Sequence, residues 1–271
     1  MPIGLGTART FDVTGREPMG VRRRIIEECE AQSVSFIDTS PMYGRAEEVL
    51  GVVSDGSRQH LQWATKVWCR GRESGEVQIA RSFRRLRTNH ISLLQVHNLV
   101  DWETHLPTLK RLKEEQRIGL IGITHHLPSY YPEIIEIMKG GQVDTVQIPY
   151  NVFERSCEEY ILPLAQELGI GVIVMKPLDA GTLTKGKGFR FVRRVVRRLR
   201  HKPDLSPLGE FGIQTWGQAL LSWVLADPRV SVVIPATRRP DRITENAAVA
   251  SLPLLPRELR EYIQSEANRC V

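Results

Sequence analysis

The chain has no long apolar run, no closely spaced pair of cysteines and no charged, apolar leader at its start. Each absence excludes something. Without the ~18 consecutive apolar residues that a bilayer crossing needs, there is no candidate membrane-spanning helix. The four cysteines, Cys29, Cys69, Cys157 and Cys270, offer neither CxxC redox spacing nor zinc spacing. They read as reduced thiols in a reducing compartment, with no metal site expected. The opening MPIGLGT lacks the basic region and apolar stretch of a secretory signal. The expectation is a cytoplasmic protein without a membrane partner. No G-x-G-x-x-G follows the first apolar run, which argues against an open, doubly wound nucleotide-binding sheet.

What is present is regular. The 271 residues come close to the ~250 typical of an eight-stranded α/β barrel. Short, nearly continuous apolar runs recur at 2–6, 34–38, 61–66, 91–97, 118–122, 143–147, 171–175 and 230–234. Strands covered on both faces of a parallel sheet read this way. Amphipathic segments lie between them at 21–32, 77–86, 105–113, 132–138, 158–167, 215–225 and 241–250. No long linker divides the chain. The pattern predicts an α/β protein, a (β/α)8 TIM barrel, as a single domain over 1–271. The stretch 179–211 is too long for a turn and reads as a long loop or helical insertion after strand 7. A further C-terminal helix is expected over 256–268.

In such a barrel the chemistry sits at the C-terminal ends of the strands. Asp38 ends the second run, with Tyr43 in the loop after it, and Lys66 and His97 end the third and fourth. Any one of these is readily a cap or a satisfied polar group. Four titratable side chains on three consecutive strand ends are harder to explain as structure. A carbonyl reduction needs a hydride donor and an acid for the developing alkoxide. The Lys66 ammonium, held by Asp38, would lower the pKa of Tyr43 toward neutrality, making Tyr43 the general acid. His97 would orient the carbonyl by a hydrogen bond. Met42, Trp68 and Trp102 follow the same strands and are the candidate walls of a substrate pocket for apolar or aromatic carbonyls.

The stretches FIDTSPMYG, TKV, LLQVHN, IGLIGIT, VQIPYN and VIPATRRPDRITEN are in the order and spacing of the aldo-keto reductases, and the chain resembles that family over nearly its whole length. The resemblance implies that Asp38, Tyr43, Lys66 and His97 form the catalytic tetrad. It also implies an NADP(H) cofactor lying across the barrel top and a small-molecule carbonyl substrate. The nicotinamide amide would be held by Thr124 and His125, after strand five, and Gln147, at the end of strand six. The family usually has Ser-Asn where this chain has Thr124-His125. After strand seven, Met175 replaces a stacking Tyr and packs softly on the ring, followed by Lys176, Pro177 and Leu178. Lys176 reads as a phosphate or surface contact ahead of a catalytic group.

After strand eight the resemblance places Pro235, Ala236, Thr237, Arg238, Arg242, Glu245 and Asn246 around the adenosine 2′-phosphate and adenine. Ala236 stands where a Lys is common, and Thr237 and Arg238 would compensate. This favours NADP(H) over NAD(H). The bland alternative is a solvated helix face carrying Arg238, Arg239 and Arg242.

The net charge is +6, and much of it lies in KGKGFRFVRRVVRRLRHK at 185–202. That local run reads as a solvated helix, a clamp over the pyrophosphate or a contact for an acidic partner; no nucleic-acid partner is expected. Relatives often carry a preceding hairpin that plugs the barrel floor; with the first strand starting at Pro2, the expectation is that this chain lacks it or begins late. The leading function is NADPH-dependent carbonyl reduction. The alternative is an NADP(H)-binding regulatory or redox-sensing subunit with little turnover.

Overall fold

The computed structural model describes residues 1–55, 60–179 and 202–270. Eight parallel strands pair in chain order: β1 (Leu5–Gly6), β2 (Phe36–Asp38), β3 (Gln62–Val67), β4 (Ile91–His97), β5 (Ile118–Thr124), β6 (Thr145–Pro149), β7 (Gly171–Met175) and β8 (Val232–Val233). Parallel bridges Ile3↔Val233 and Gly6↔Ala236 join the first strand to the last. The sheet therefore closes on itself, and the fold is a (β/α)8 barrel.

Helices α1 (Arg16–Ala31), α2 (Ala46–Val53), α3 (Arg72–Leu86), α4 (Trp102–Glu114), α5 (Tyr131–Lys139), α6 (Ile161–Leu168), α7 (Trp216–Leu225) and α8 (Asp241–Ala248) follow the strands, and α9 (Arg257–Arg269) is the expected extra helix. The run α2 went unread in the sequence, although Ala46, Val49, Leu50 and Val53 have helical spacing and all are buried. Helix α7 starts on a capping box in which Thr215 and Gln218 satisfy each other's backbone N–H groups.

The strands read as continuous apolar runs because both faces are covered. One large cluster packs the outer face of the sheet against the helices, and Leu94, Val96, Ile121 and Ile123 belong to it. A small cluster fills the barrel itself: Ala64, Leu93, Ile173, Val232 and Ile234, with Phe36 and Met175 against it. Leu120 pairs in register with Leu93 and is 44% exposed, so the floor is thinly covered on that side.

Several boundaries differ from the sequence reading in ways that matter. Strand β3 runs one residue past Lys66, to Val67. Strand β5 reaches Thr124, which is thus in the strand and not after it. Gln147 is the third residue of β6, paired with Thr124, and so lies below the rim. Trp102 opens α4 and is not a loop residue. Of the predicted insertion 179–211, the described part includes a 3-10 helix, Ser206–Phe211. Nearly all of the basic run 185–202 falls outside the described residues. No described helix is long and apolar enough to cross a membrane.

Candidate active site

The loop after β2 is built to present Tyr43. Gly44 takes φ +61°, and a Cβ there would lie 2.4 Å from the Asp12 carboxylate. Asp12 in turn accepts from the Arg45 backbone N–H at 3.1 Å. The Tyr43 N–H donates to the Ser40 carbonyl at 3.0 Å. The phenol is thereby fixed over the end of β3.

There Lys66 is fully buried, as is Asp38 to within 2%. The Lys66 Nζ donates to Asp38 Oδ1 at 2.6 Å and to the Thr39 carbonyl at 2.7 Å. It stands 5.3 Å from the centroid of the Tyr43 ring. His97 meets the same ring edge-on, with centroids 5.9 Å apart at 88°. So the barrel brings together Asp38, Tyr43, Lys66 and His97, from two strand ends, one penultimate strand position and one loop.

The electrostatics differ from the sequence expectation in one respect. Burial pushes the Tyr43 phenol above its ordinary value, and the downward pull of Lys66 does not overcome it. Tyr43 is therefore a phenol at neutral pH with a cation beside it, not a group tuned toward neutrality. Burial pulls the Lys66 ammonium down, but Asp38 and then Tyr43 outweigh it, and the net direction is up. The imidazole of His97 is held down to about 3, first by burial and then by the Lys66 charge. It is neutral at any ordinary pH.

Two residues absent from the sequence reading complete the layer. Gln95 points inward two positions before His97, donates to Gln147 Oε1 at 2.8 Å and leans on Asp38 Oδ1 at 3.5 Å. Room for it comes from Gly122 on β5, where a Cβ would lie 2.9 Å from the Gln95 side chain and 2.4 Å from Thr145 Oγ1. Its signal was a polar residue at i−2 from His97 in an otherwise apolar strand. Ser40, fully buried, lies 3.0 Å from His97 Nδ1.

The remaining candidates divide. Trp68 is 40% exposed, tilts over His97 at 6.5 Å, and its backbone is gripped on both sides by Gln78 of α3. Met42, 46% exposed, sits in the Tyr43 loop. Trp102 is set apart: its indole N–H donates to Glu133 at 3.0 Å and its ring packs on the core. His125 is engaged by its own loop, with Nδ1 accepting from the Leu127 N–H at 3.1 Å and its ring 3.7 Å from that of Tyr130. Met175 is half-buried at the end of β7, and Lys176, exposed and in the left-handed region at φ 54°, is followed by buried Pro177 and half-buried Leu178.

Past β8, Pro235 is buried and Ala236 exposed. Thr237 spends its hydroxyl on the backbone of Arg239. Arg242 is ion-paired to Glu245, which also accepts from Thr215 at 2.6 Å, and Asn246 is buried beside them. Arg238 reaches the Arg9 carbonyl at 2.8 Å. Burial, and then the charge of Arg238, lower the pKa of Arg22.

A family model described as the Aldo/keto reductase family matches residues 2–266. The chain is 25% identical over 279 residues to Probable aldo-keto reductase 1 of Glycine max, covering 89% of this chain and 78% of that protein. It is 28% identical over 233 residues to the methylglyoxal reductase YeaE of Escherichia coli (strain K12), covering 83% and 78%. Among solved structures it resembles an aldo/keto reductase from Klebsiella pneumoniae in complex with NADP and acetate. The TM-score is 0.77 at 24% identity, over 97% of this chain and 90% of that one. At that identity the likeness is one of fold.

Proposed function

The chain belongs to the aldo/keto reductase family, and we propose that it reduces an aldehyde or ketone to an alcohol with NADPH, using Tyr43 as the acid. The observation that carries this reading is the buried ammonium of Lys66, pinned by Asp38 at 2.6 Å beneath the Tyr43 ring and beside a neutral His97. A barrel interior holds a lone cation only where its charge is used or paired. Here it is paired on one side and faces a proton donor on the other.

The residues fit the cofactor. Arg22 and Arg238 bind the neighbouring carbonyls of Thr10 and Arg9, the charge of Arg238 lowers the pKa of Arg22, and Lys176 adds a cation after β7. Phosphate groups relieve such an excess. Arg238 and Arg242 would hold the 2′-phosphate, with Glu245 keeping Arg242 in place and Asn246 near the adenine. Pro235, Ala236 and Thr237 would shape that loop. Thr124, His125, Gln147 and Met175 would hold the nicotinamide, and Lys176, Pro177 and Leu178 would take part in holding the phosphates. When bound, NADPH supplies the hydride.

The protein's own part is positioning and proton transfer. Neutral His97 donates a hydrogen bond to the carbonyl oxygen and cannot release a proton of its own near neutrality. Tyr43 delivers its proton to the same oxygen as negative charge grows there. Lys66 then stabilises the phenolate left behind, and Asp38 keeps Lys66 charged and in place. Trp68 and Met42, exposed beside this group, would favour apolar or aromatic carbonyls.

The test is NADPH consumption with a panel of aldehydes that includes methylglyoxal and aryl aldehydes, run beside fluorescence titration of NADPH. Tyr43→Phe is expected to cut turnover by ~100-fold or more with NADPH affinity nearly unchanged. A variant with wild-type kcat would remove Tyr43 as the acid.

A further inference from the structure

The geometry points to Ser40 as a positioning residue that fixes the tautomer of His97, so that Nε2 carries the proton presented to the carbonyl. The inference rests on the role proposed above for His97, but the tautomer itself can be read without turnover.

Ser40 is fully buried, so its hydroxyl cannot turn to bulk water. Its Oγ accepts from the Met42 N–H at 3.2 Å. The hydroxyl has one proton left to place, and its other described partner is His97 Nδ1 at 3.0 Å. If Nδ1 carried the ring proton, Ser40 would accept twice and its own proton would be buried without an acceptor. If Nδ1 is bare, Ser40 donates to it, and both the hydroxyl proton and Nδ1 have a partner.

The ring is neutral, because burial and the Lys66 charge hold its pKa near 3. A neutral imidazole carries one proton, and with Nδ1 accepting, that proton is on Nε2. No described protein group bonds to Nε2, so its proton is free for a ligand. Ser40 thus does for His97 what a carbonyl or carboxylate does for many catalytic histidines, with opposite polarity. It also couples two loop features. The N–H that orients Ser40 belongs to Met42, the neighbour of Tyr43, so the acid and the hydrogen-bond donor are set by the same turn.

The experiment is long-range proton–nitrogen NMR of histidine-labelled protein, His97 being assigned by its loss in His97→Gln, with kcat and KM measured alongside. The wild type is expected to show His97 protonated at Nε2. Ser40→Ala should shift population to the Nδ1-protonated form and lower kcat by ~10-fold, with NADPH affinity unchanged. Ser40→Thr, which restores the hydroxyl, should restore both the signal and the rate. Should Ser40→Ala fold poorly, Ser40→Cys keeps the size with a weaker donor and should fall between. A wild-type ring protonated at Nδ1, or a Ser40→Ala signal like wild type, overturns the proposal. So does a changed tautomer with unchanged kcat, since the lock would then position nothing. A wild type that shows the Nε2 proton but reduces no carbonyl would sink the proposed reaction and leave the Ser40 lock standing.

Discussion

Replacing His97 by glutamine should make the fold relatively more tolerant of mild acid. His97 is 7% exposed, and its pKa falls from 6.5 to about 3 in the folded state. Between those values the unfolded chain binds a proton at this site and the native chain does not. A depressed folded pKa therefore contributes stability that is present above pH 6.5 and is progressively lost as pH falls toward 3. At pH 7 the penalty is negligible, and at pH 5 it amounts to about 2 kcal/mol. Glutamine does not titrate. At pH 7 the variant is expected to be the weaker protein, because the ring contacts with Tyr43 and Trp68 are gone. The gap between the two should narrow by about 2 kcal/mol at pH 5. In urea unfolding this is a relative midpoint shift of roughly 0.7–1 M. All other titrating groups are common to both chains and cancel. A gap that stays constant between the two pH values would refute the burial argument, and with it the picture of His97 as a neutral donor.

Other outcomes are as definite. Arg242→Ala should weaken NADPH by ~10-fold or more and NADH far less, in direct titration; equal losses would place Arg242 away from the 2′-phosphate. Lys66→Met should abolish turnover and cost about 3–5 kcal/mol in denaturant melts, because Asp38 is left buried without its cation. Adding Asp38→Asn should recover part of that stability and none of the activity. The reduction rate should be flat from about pH 6 to about pH 9, since Tyr43 is pushed up and His97 down, while the reverse oxidation should rise with pH as phenolate forms. An inflection near the free histidine value would contradict the downward shift of His97. Trp68→Ala should raise KM for aryl aldehydes by ~10-fold with kcat little changed, and Trp102→Ala should act on stability instead.

The barrel was legible because its signal is redundant. Most of the eight strands carry several buried apolar residues, and an error of a residue or two at any boundary leaves the count intact. The candidate site could be nominated for a narrower reason: a titratable group at the end of an apolar run is conspicuous, as Asp38, Lys66 and His97 are. What surrounds them was not, because it depends on pairing across the barrel. Gln95 lies on β4 and its partner Gln147 on β6, and the space between them exists because Gly122 on β5 has no side chain. No local pattern announces that triplet. The sign of the Tyr43 shift failed for the same reason. Sequence supplies the neighbouring cation but not the depth at which the pair is buried, and depth decides it. Ser40 sat in plain view between Asp38 and Tyr43 and was not singled out. Only the distance to His97 gives it a proton to place. Charges at strand ends mark a candidate site, while the neutral donors and acceptors packed behind them need coordinates to be seen.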